Sequence, residues 1–119
     1  MPEDQRPLRD RIPVCPHGTL DDIDDGLIVI LNELEKNLKR KLIYNSGYRC
    51  PACNKAAGGV KNSSHMRGKA VDIKSKTSPE RYEITKAALA FGFKRIGIGK
   101  TIIHLDLDET LPQRVTWLY

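Results

Sequence analysis

Residues 63–73 have the sequence "SSHMRGKAVDI", which places an aspartate, Asp72, inside a short apolar run and seven residues after His65. The segment "KAVDIKS" (69–75) predicts a β-strand, and side chains of a strand alternate between its two faces. Asp72 then lies on the face opposite its two apolar neighbours, while the loop before the strand carries His65. A strand with one apolar face and one carboxylate-bearing face is a candidate wall of a functional site.

A second strand with the same character is predicted at "TIIHLDLD" (101–108). One face carries Ile103, Leu105 and Leu107, and the other carries Ile102, His104, Asp106 and Asp108. If the two strands are neighbours, Asp72 and His104 converge and His65 approaches from its loop. Two histidines and one carboxylate are a common ligand set for catalytic zinc, which keeps a fourth position for water. From spacing alone, a metal site and purely structural roles for these residues are both open.

The remaining pattern predicts an α+β fold, in which a small antiparallel sheet packs against helices. A capping-box-like pair, Thr19 and Asp22, precedes apolar residues at helical spacing. The dipeptide Ser78–Pro79, with Ser78 as N-cap, opens a second helix that ends near Gly92. The predicted elements are an arm with little regular structure over 1–18, a helix over 20–40, a strand over 41–47, a loop over 48–68, a strand over 69–75, a helix from 78 to about 91, and a hairpin formed by 94–99 and 101–108. The apolar tail, 117–119, is expected to dock on the body.

A chain of 119 residues corresponds to about one domain, so we assign residues 1–18 to an N-terminal arm and 19–119 to a single domain. No apolar run approaches the roughly 20 residues that span a bilayer, and the first 14 residues lack the apolar core of a signal peptide. We therefore expect a monomer that is cytoplasmic as made, with no membrane insertion. The net charge of +5 favours anionic partners such as nucleic acid or cell wall. A nucleic-acid module of zinc-ribbon type would need a second C-x-x-C and a clustered basic stripe, and the sequence has neither.

Two segments resemble the M15 peptidase family: "SGYRCPACNKAAGGVKNSSHMRGKAVDI" (46–73) and "IIHLDLD" (102–108). This family contains zinc D-alanyl-D-alanine carboxypeptidases, D-Ala-D-Ala dipeptidases and phage L-alanyl-D-glutamate endopeptidases. The likeness covers roughly residues 27–119 and is strongest to the small single-domain branch with a hedgehog-like fold. The family pattern Ser-x-His-x-x-Gly-x-Ala-x-Asp followed by His-x-Asp is matched by Ser63, His65, Gly68, Ala70, Asp72, His104 and Asp106.

By this resemblance, the Zn²⁺ ligands are His65, Asp72 and His104. Arg49 is then the residue that contacts a substrate carbonyl or carboxylate, and Ser63 lies in the pocket. The implied function is a zinc peptidase that cleaves peptidoglycan stem peptides and reaches the cell wall on lysis if the gene is prophage-derived. Which stem-peptide bond is cleaved stays open.

This chain differs from many members of the family at the position of the general base. Those members carry an acid three residues before the last zinc histidine. Thr101 occupies that position and cannot accept a proton from water. Asp106 is the obvious substitute, and we predict it to be catalytic; a supporting role behind the metal ligands is the alternative. If no carboxylate acts, the protein is a catalytically inactive, hedgehog-like zinc-binding module. Asp108 lies further along the strand and is expected to be exposed.

The three cysteines form a separate question. Cys50 and Cys53 make a C-x-x-C pair, and Cys15 and His17 make a C-x-H pair 33 residues earlier. From sequence we favour three buried, small apolar cysteines and a surface His17. The alternative is a second, structural zinc bound by all four residues, which would hold the arm against the active-site loop.

Overall fold

The computed structural model describes residues 5–119 and has the predicted α+β fold, with helices packed on a five-stranded sheet. No helix in this part of the chain is both long and apolar enough to cross a membrane. In chain order the elements are α1 (Asp25–Leu38), β1 (Tyr44–Ser46), α2 (Pro51–Ala56), β2 (Ala70–Lys74), α3 (Ser78–Ala90), β3 (Arg95–Ile98), β4 (Ile102–Asp106) and β5 (Val115–Leu118), with short 3₁₀ helices at Leu8–Arg11, Leu20–Asp22 and Ser64–Arg67.

The sheet has the strand order β1-β2-β4-β3-β5. β2 and β4 are antiparallel neighbours, and Asp72 is directly opposite His104. The predicted convergence of these two side chains depended on this pairing. β3 and β4 form the predicted hairpin. The tail does more than dock, because β5 pairs in parallel with β3 and extends the sheet at that edge.

Helix α1 begins later than the apolar pattern predicts. The capping box of Thr19 and Asp22 is present, but it closes a 3₁₀ turn, after which Ile23 is extended. Asp24 is the N-cap of α1, and its carboxylate accepts the Leu27 N–H at 3.0 Å. Two consecutive caps therefore divide the predicted helix into a short turn and a regular helix.

The N-terminal arm is more ordered than the prolines in its sequence suggest. Its 3₁₀ helix, Leu8–Arg11, places Leu8 and Ile12 in the hydrophobic core with Leu27 and Leu31 of α1. These two apolar residues are too few to show a period, which is why the sequence pattern did not indicate their burial.

A buried carboxylate, Glu35, joins the arm, α1 and β1. It accepts hydrogen bonds from Arg11 Nη2 at 2.6 Å, from the Leu42 N–H at 3.0 Å and from the Tyr44 hydroxyl at 2.8 Å. Both members of the Arg11–Glu35 ion pair are nearly excluded from water. Removing one charge of such a pair leaves the other buried without its partner, which is strongly destabilising.

We expect Glu35→Ala to lower the free energy of unfolding by about 3 kcal/mol or more, since the Arg11 guanidinium then loses its carboxylate. Glu33→Ala is the matched control, because Glu33 is exposed on the same helix and pairs with Lys36 at 3.4 Å. That control should change stability by no more than about 0.5 kcal/mol. Urea unfolding of the two variants beside the wild type measures both values, and equal losses would remove Glu35 from its structural role.

Candidate metal centre and cleft

Three predicted ligands meet on one face of the sheet. Asp72 on β2 faces His104 on β4, with 3.1 Å between Asp72 Oδ1 and His104 Nδ1. His65 comes from the 3₁₀ helix before β2, and its Nε2 lies 3.2 Å from Asp72 Oδ2. His65 and His104 are buried, and their rings meet edge to face with centroids 5.1 Å apart. The structure thus brings together the three residues that the sequence nominated.

The hydrogen-bond partners of the two histidines decide which ring nitrogens are left for a metal. His65 Nδ1 lies 2.7 Å from the Gly47 carbonyl oxygen, which can only accept, so that nitrogen carries the proton. His104 Nε2 is engaged in the same way by Asp106 Oδ2 at 2.7 Å. In neutral imidazoles the inward nitrogens, His65 Nε2 and His104 Nδ1, therefore bear lone pairs and face an acceptor, Asp72.

Three electron-pair donors that face one another require a cation or extra protons between them. Zinc with ligands at about 2.0–2.1 Å in tetrahedral geometry separates those ligands by roughly 3.3 Å, close to the spacing seen here. Burial alone would raise the pKa of Asp72, but the close imidazoles of His104 and His65 and the hydrogen bond from the Ser46 hydroxyl outweigh it and hold that pKa below its usual range. Asp72 is therefore available as a carboxylate, and the residues present fit a zinc ion.

The loop that carries His65 is fixed by close packing. Ser63 is the N-cap of the 3₁₀ helix, and its Oγ accepts the His65 N–H at 3.1 Å. Gly68 ends the helix with φ +69°, and a Cβ at this position would lie only 1.8 Å from the Asp22 carbonyl oxygen. The Gly68 carbonyl in turn accepts the Asp24 N–H at 2.8 Å. Glycine is required here by both the backbone angle and the approach of the neighbouring turn.

Asp106 lies behind His104, on the side of the imidazole away from Asp72. Its side chain is excluded from solvent, and both oxygens are engaged: Oδ2 by His104 Nε2, and Oδ1 by the Asp108 N–H and by Arg95 Nε at 2.9 Å. It does not line the cleft. Burial would raise the pKa of Asp106, yet the contacts with His104, Asp108 and Arg95 together hold that pKa below its usual range.

This geometry does not support the predicted general-base role of Asp106, because its carboxylate has no path to a water in the cleft. It supports the alternative role of orienting His104. A carboxylate that accepts the outer N–H of a metal-ligating histidine fixes its tautomer and its orientation. The strand pattern places both side chains on one face, but only the rotamer of His104 decides which side of the ring meets Asp106.

The three candidate ligands lie in a cleft of about 520 Å³, within the range of small-molecule sites. Arg49 and Ser63 both line it, as the resemblance implies. Arg49 is partly buried, and its Nε has no hydrogen-bond partner among the described residues. A guanidinium beside the candidate metal ligands, with its Nε unpartnered among the described residues, is suited to bind an anionic or carbonyl oxygen.

One wall of the cleft was not anticipated from the sequence. Trp117 and Tyr119, at the end of β5, line the site, and the Trp117 ring lies 5.3 Å from that of His104. Gly97 on β3 makes room for it, because a Cβ there would lie 2.6 Å from Trp117 Nε1. Arg95, also on β3, stacks over the Trp117 ring at 5.0 Å. The available sequence signal for this aromatic wall was the placement of Arg95 and Gly97 on the same face of β3. That signal could not be interpreted without knowing that β5 pairs in parallel with β3.

One expectation about acidic groups is corrected. Asp108 is fully buried instead of exposed, because it forms an ion pair with Arg67 and accepts from the Thr110 backbone and hydroxyl. Thr101, which was not expected to act as a base, is exposed in the β3–β4 turn and does not line the cleft. Among the described residues that line the cleft, Asp72 is the only one with a carboxylate side chain.

Two histidines and an aspartate at the floor of a cleft, with an arginine beside them, are the arrangement of a mononuclear metallohydrolase. The sequence model described as Peptidase M15 matches residues 15–108, and the chain belongs to this peptidase family, as the resemblance implied. The family is zinc-dependent. A comparison with curated proteins gives no match.

Asp106→Asn tests the role that the geometry gives this residue. We expect zinc affinity to fall by roughly 10- to 100-fold, because the amide holds His104 less firmly, while turnover at saturating zinc stays close to that of the wild type. Zinc titration against a chelating competitor gives the affinity, and cleavage assays over a range of zinc give the turnover. Glu109→Gln, an exposed acid three residues on, is the control. Unchanged affinity with a hundredfold loss of turnover at saturating zinc would restore the general-base role.

Proposed function

We propose that this protein is a zinc-dependent peptidase that cleaves peptidoglycan stem peptides, of the D-Ala-D-Ala carboxypeptidase or L-Ala-D-Glu endopeptidase type. The observation that supports it most is the set of inward-facing donor atoms of His65, Asp72 and His104 at the floor of the cleft. Membership of the peptidase family supports the reaction class. A zinc ion held by these residues supplies Lewis-acid chemistry, in which a carbonyl is polarised and the pKa of water falls to about 7.

Each residue around the donors has a distinct part in this reaction. Arg49 binds the substrate carboxylate or the developing oxyanion through its fork of N–H donors. Asp106 accepts the outer N–H of His104 and keeps that ring in one orientation, and Arg95 in turn holds the Asp106 carboxylate. Trp117 and Tyr119 form a wall that orients the peptide and excludes water from one side.

Stem peptides are proposed as the substrate class because of the charge and size of the cleft. They are short and rich in carboxylates, and Arg49 offers a cation whose Nε has no hydrogen-bond partner among residues 5–119. The net charge of +5 also favours an anionic polymer such as cell wall.

Digestion of purified muropeptides with zinc-loaded protein, followed by mass spectrometry, tests the proposal. A carboxypeptidase releases the terminal D-alanine, whereas the endopeptidase releases the peptide that begins with D-glutamate. Chelator-treated protein is the control, and it should regain cleavage when zinc is restored. The absence of both products, with zinc bound, would exclude the proposed activity.

The second candidate, a zinc-binding module without turnover, is favoured by one observation. Peptide hydrolysis needs a group that takes a proton from water, and the described cleft offers no carboxylate other than the metal ligand Asp72. Such a module would bind zinc as tightly as the enzyme and leave every muropeptide intact. The same digestion therefore distinguishes the two functions.

A further inference from the structure

Four metal-ligating side chains meet at a second place, between the N-terminal arm and helix α2. The Sγ atoms of Cys15, Cys50 and Cys53 and a ring nitrogen of His17 all lie within 4.8 Å of one another. His17 Nδ1 is 3.6 Å from Cys50 Sγ and 3.3 Å from Cys53 Sγ. None of these residues lines the metal-ligand cleft.

The local backbone explains why the side chains converge. Cys15–Gly18 forms a tight turn closed by the Gly18 N–H and the Cys15 carbonyl at 3.0 Å, which aims Cys15 and His17 to the same side. Cys50 is the N-cap of α2, with Pro51 in the first turn, so Cys53 lies one turn on beside it. The Cys15 N–H donates to the Tyr48 carbonyl at 3.1 Å and joins the two segments.

The sulfur atoms also receive backbone hydrogen bonds of the kind that support bound thiolates. The Cys50 N–H donates to Cys15 Sγ at 3.4 Å, and the Cys53 N–H donates to Cys50 Sγ at 3.5 Å. Such outer contacts orient ligands and stabilise their charge once the thiols have lost their protons.

The alternatives explain the arrangement less well. Small apolar cysteines would be buried among apolar groups, but Cys50 and Cys53 are partly exposed and face an exposed imidazole. A disulfide would use two of the three thiols and leave one over, and all three are free. Three sulfurs and one imidazole nitrogen are a complete tetrahedral set for a structural zinc, with no position open for a substrate.

We propose that Cys15, His17, Cys50 and Cys53 bind a second Zn²⁺, which is structural. The sequence pattern favoured three buried, apolar cysteines, and the proposal replaces that interpretation. Zinc binding by these four residues does not depend on the proposed peptidase activity. The site links the arm to the segment that carries Arg49, because Arg49 directly precedes Cys50 and its N–H donates to the His65 carbonyl at 3.2 Å. The second zinc thereby holds the substrate-binding arginine in register with the metal ligands of the cleft.

Metal analysis under reducing conditions tests the proposal. We expect two zinc ions per chain in the wild type, one in Cys50→Ser/Cys53→Ser and one in His65→Ala/His104→Ala. Replacement of zinc by Co²⁺ should give strong near-ultraviolet sulfur-to-cobalt charge-transfer absorption in the wild type and in the histidine variant. The chain has three cysteines, all in this cluster, so the absorption has no other source.

A measurement on the wild type keeps the test valid if the cysteine variant fails to fold. A mercurial thiol reagent should release one zinc per chain while leaving the zinc of the cleft, and a zinc-sensitive dye counts the released ion. Release of no zinc, or absence of the cobalt–sulfur absorption under reducing conditions, would overturn the proposal.

Discussion

His65→Ala/His104→Ala is expected to lose the zinc of the cleft and to lower muropeptide cleavage by on the order of a thousandfold or more. Two of the three inward-facing donors disappear, and Asp72 alone cannot hold the ion. A metal ion contributes several kcal/mol to the stabilisation of a hydrolytic transition state, and about 4 kcal/mol corresponds to a thousandfold in rate.

Elemental analysis of this variant must be made in two backgrounds, because the proposed cysteine site would retain zinc of its own. In the Cys50→Ser/Cys53→Ser background the histidine substitutions should leave almost no tightly bound metal. Equal zinc with and without the two histidines in that background would show that the cleft residues are not ligands. Circular dichroism of the same samples establishes that the fold is retained.

Arg49→Lys is expected to lower cleavage by roughly a hundredfold while zinc content and stability stay close to those of the wild type. Lysine keeps the positive charge but cannot form two parallel hydrogen bonds to a carboxylate or an oxyanion. Loss of a single donor to a developing oxyanion already costs on the order of a hundredfold. The Arg49 Nε has no hydrogen-bond partner among the described residues, and we therefore expect the substitution to have little effect on stability.

Arg40→Lys is the matched control for this prediction. Arg40 forms a partly exposed ion pair with Glu80 at 3.1 Å and does not line the metal-ligand cleft. Its replacement should leave cleavage unchanged. Equal activity of the Arg49 and Arg40 variants would remove Arg49 from substrate binding, whereas loss of zinc in the Arg49 variant would give it a role in the metal centre.

The parts of the site that alternate along a strand could be predicted from sequence. Asp72 and His104 each lie within a short, largely apolar strand. Because strand side chains alternate between two faces, the face that each residue takes follows from strand geometry alone. The role of Asp106 could not be predicted in this way. Whether it faces the metal or the outer nitrogen of His104 depends on a rotamer and on Arg95 from the adjacent strand.

The other features that could not be predicted depend on contacts between segments that are distant in sequence. Cys15 and Cys50 are separated by 35 positions, and their meeting depends on the arm returning past Tyr48, which has no local signal. The parallel pairing of β5, which brings Trp117 to the cleft, is equally non-local. Patterns of period two and 3.6 indicate which face a residue takes, but not which distant segment covers that face.

The position of Trp117 gives the protein an intrinsic optical reporter. It is the single tryptophan in the chain, so all indole fluorescence comes from a ring 5.3 Å from the imidazole of His104 and 5.0 Å from the Arg95 guanidinium. The emission of an indole responds to charge and to proton donors at such distances. Occupancy of the cleft can therefore be followed in real time, in unlabelled protein, by the light that this one side chain emits.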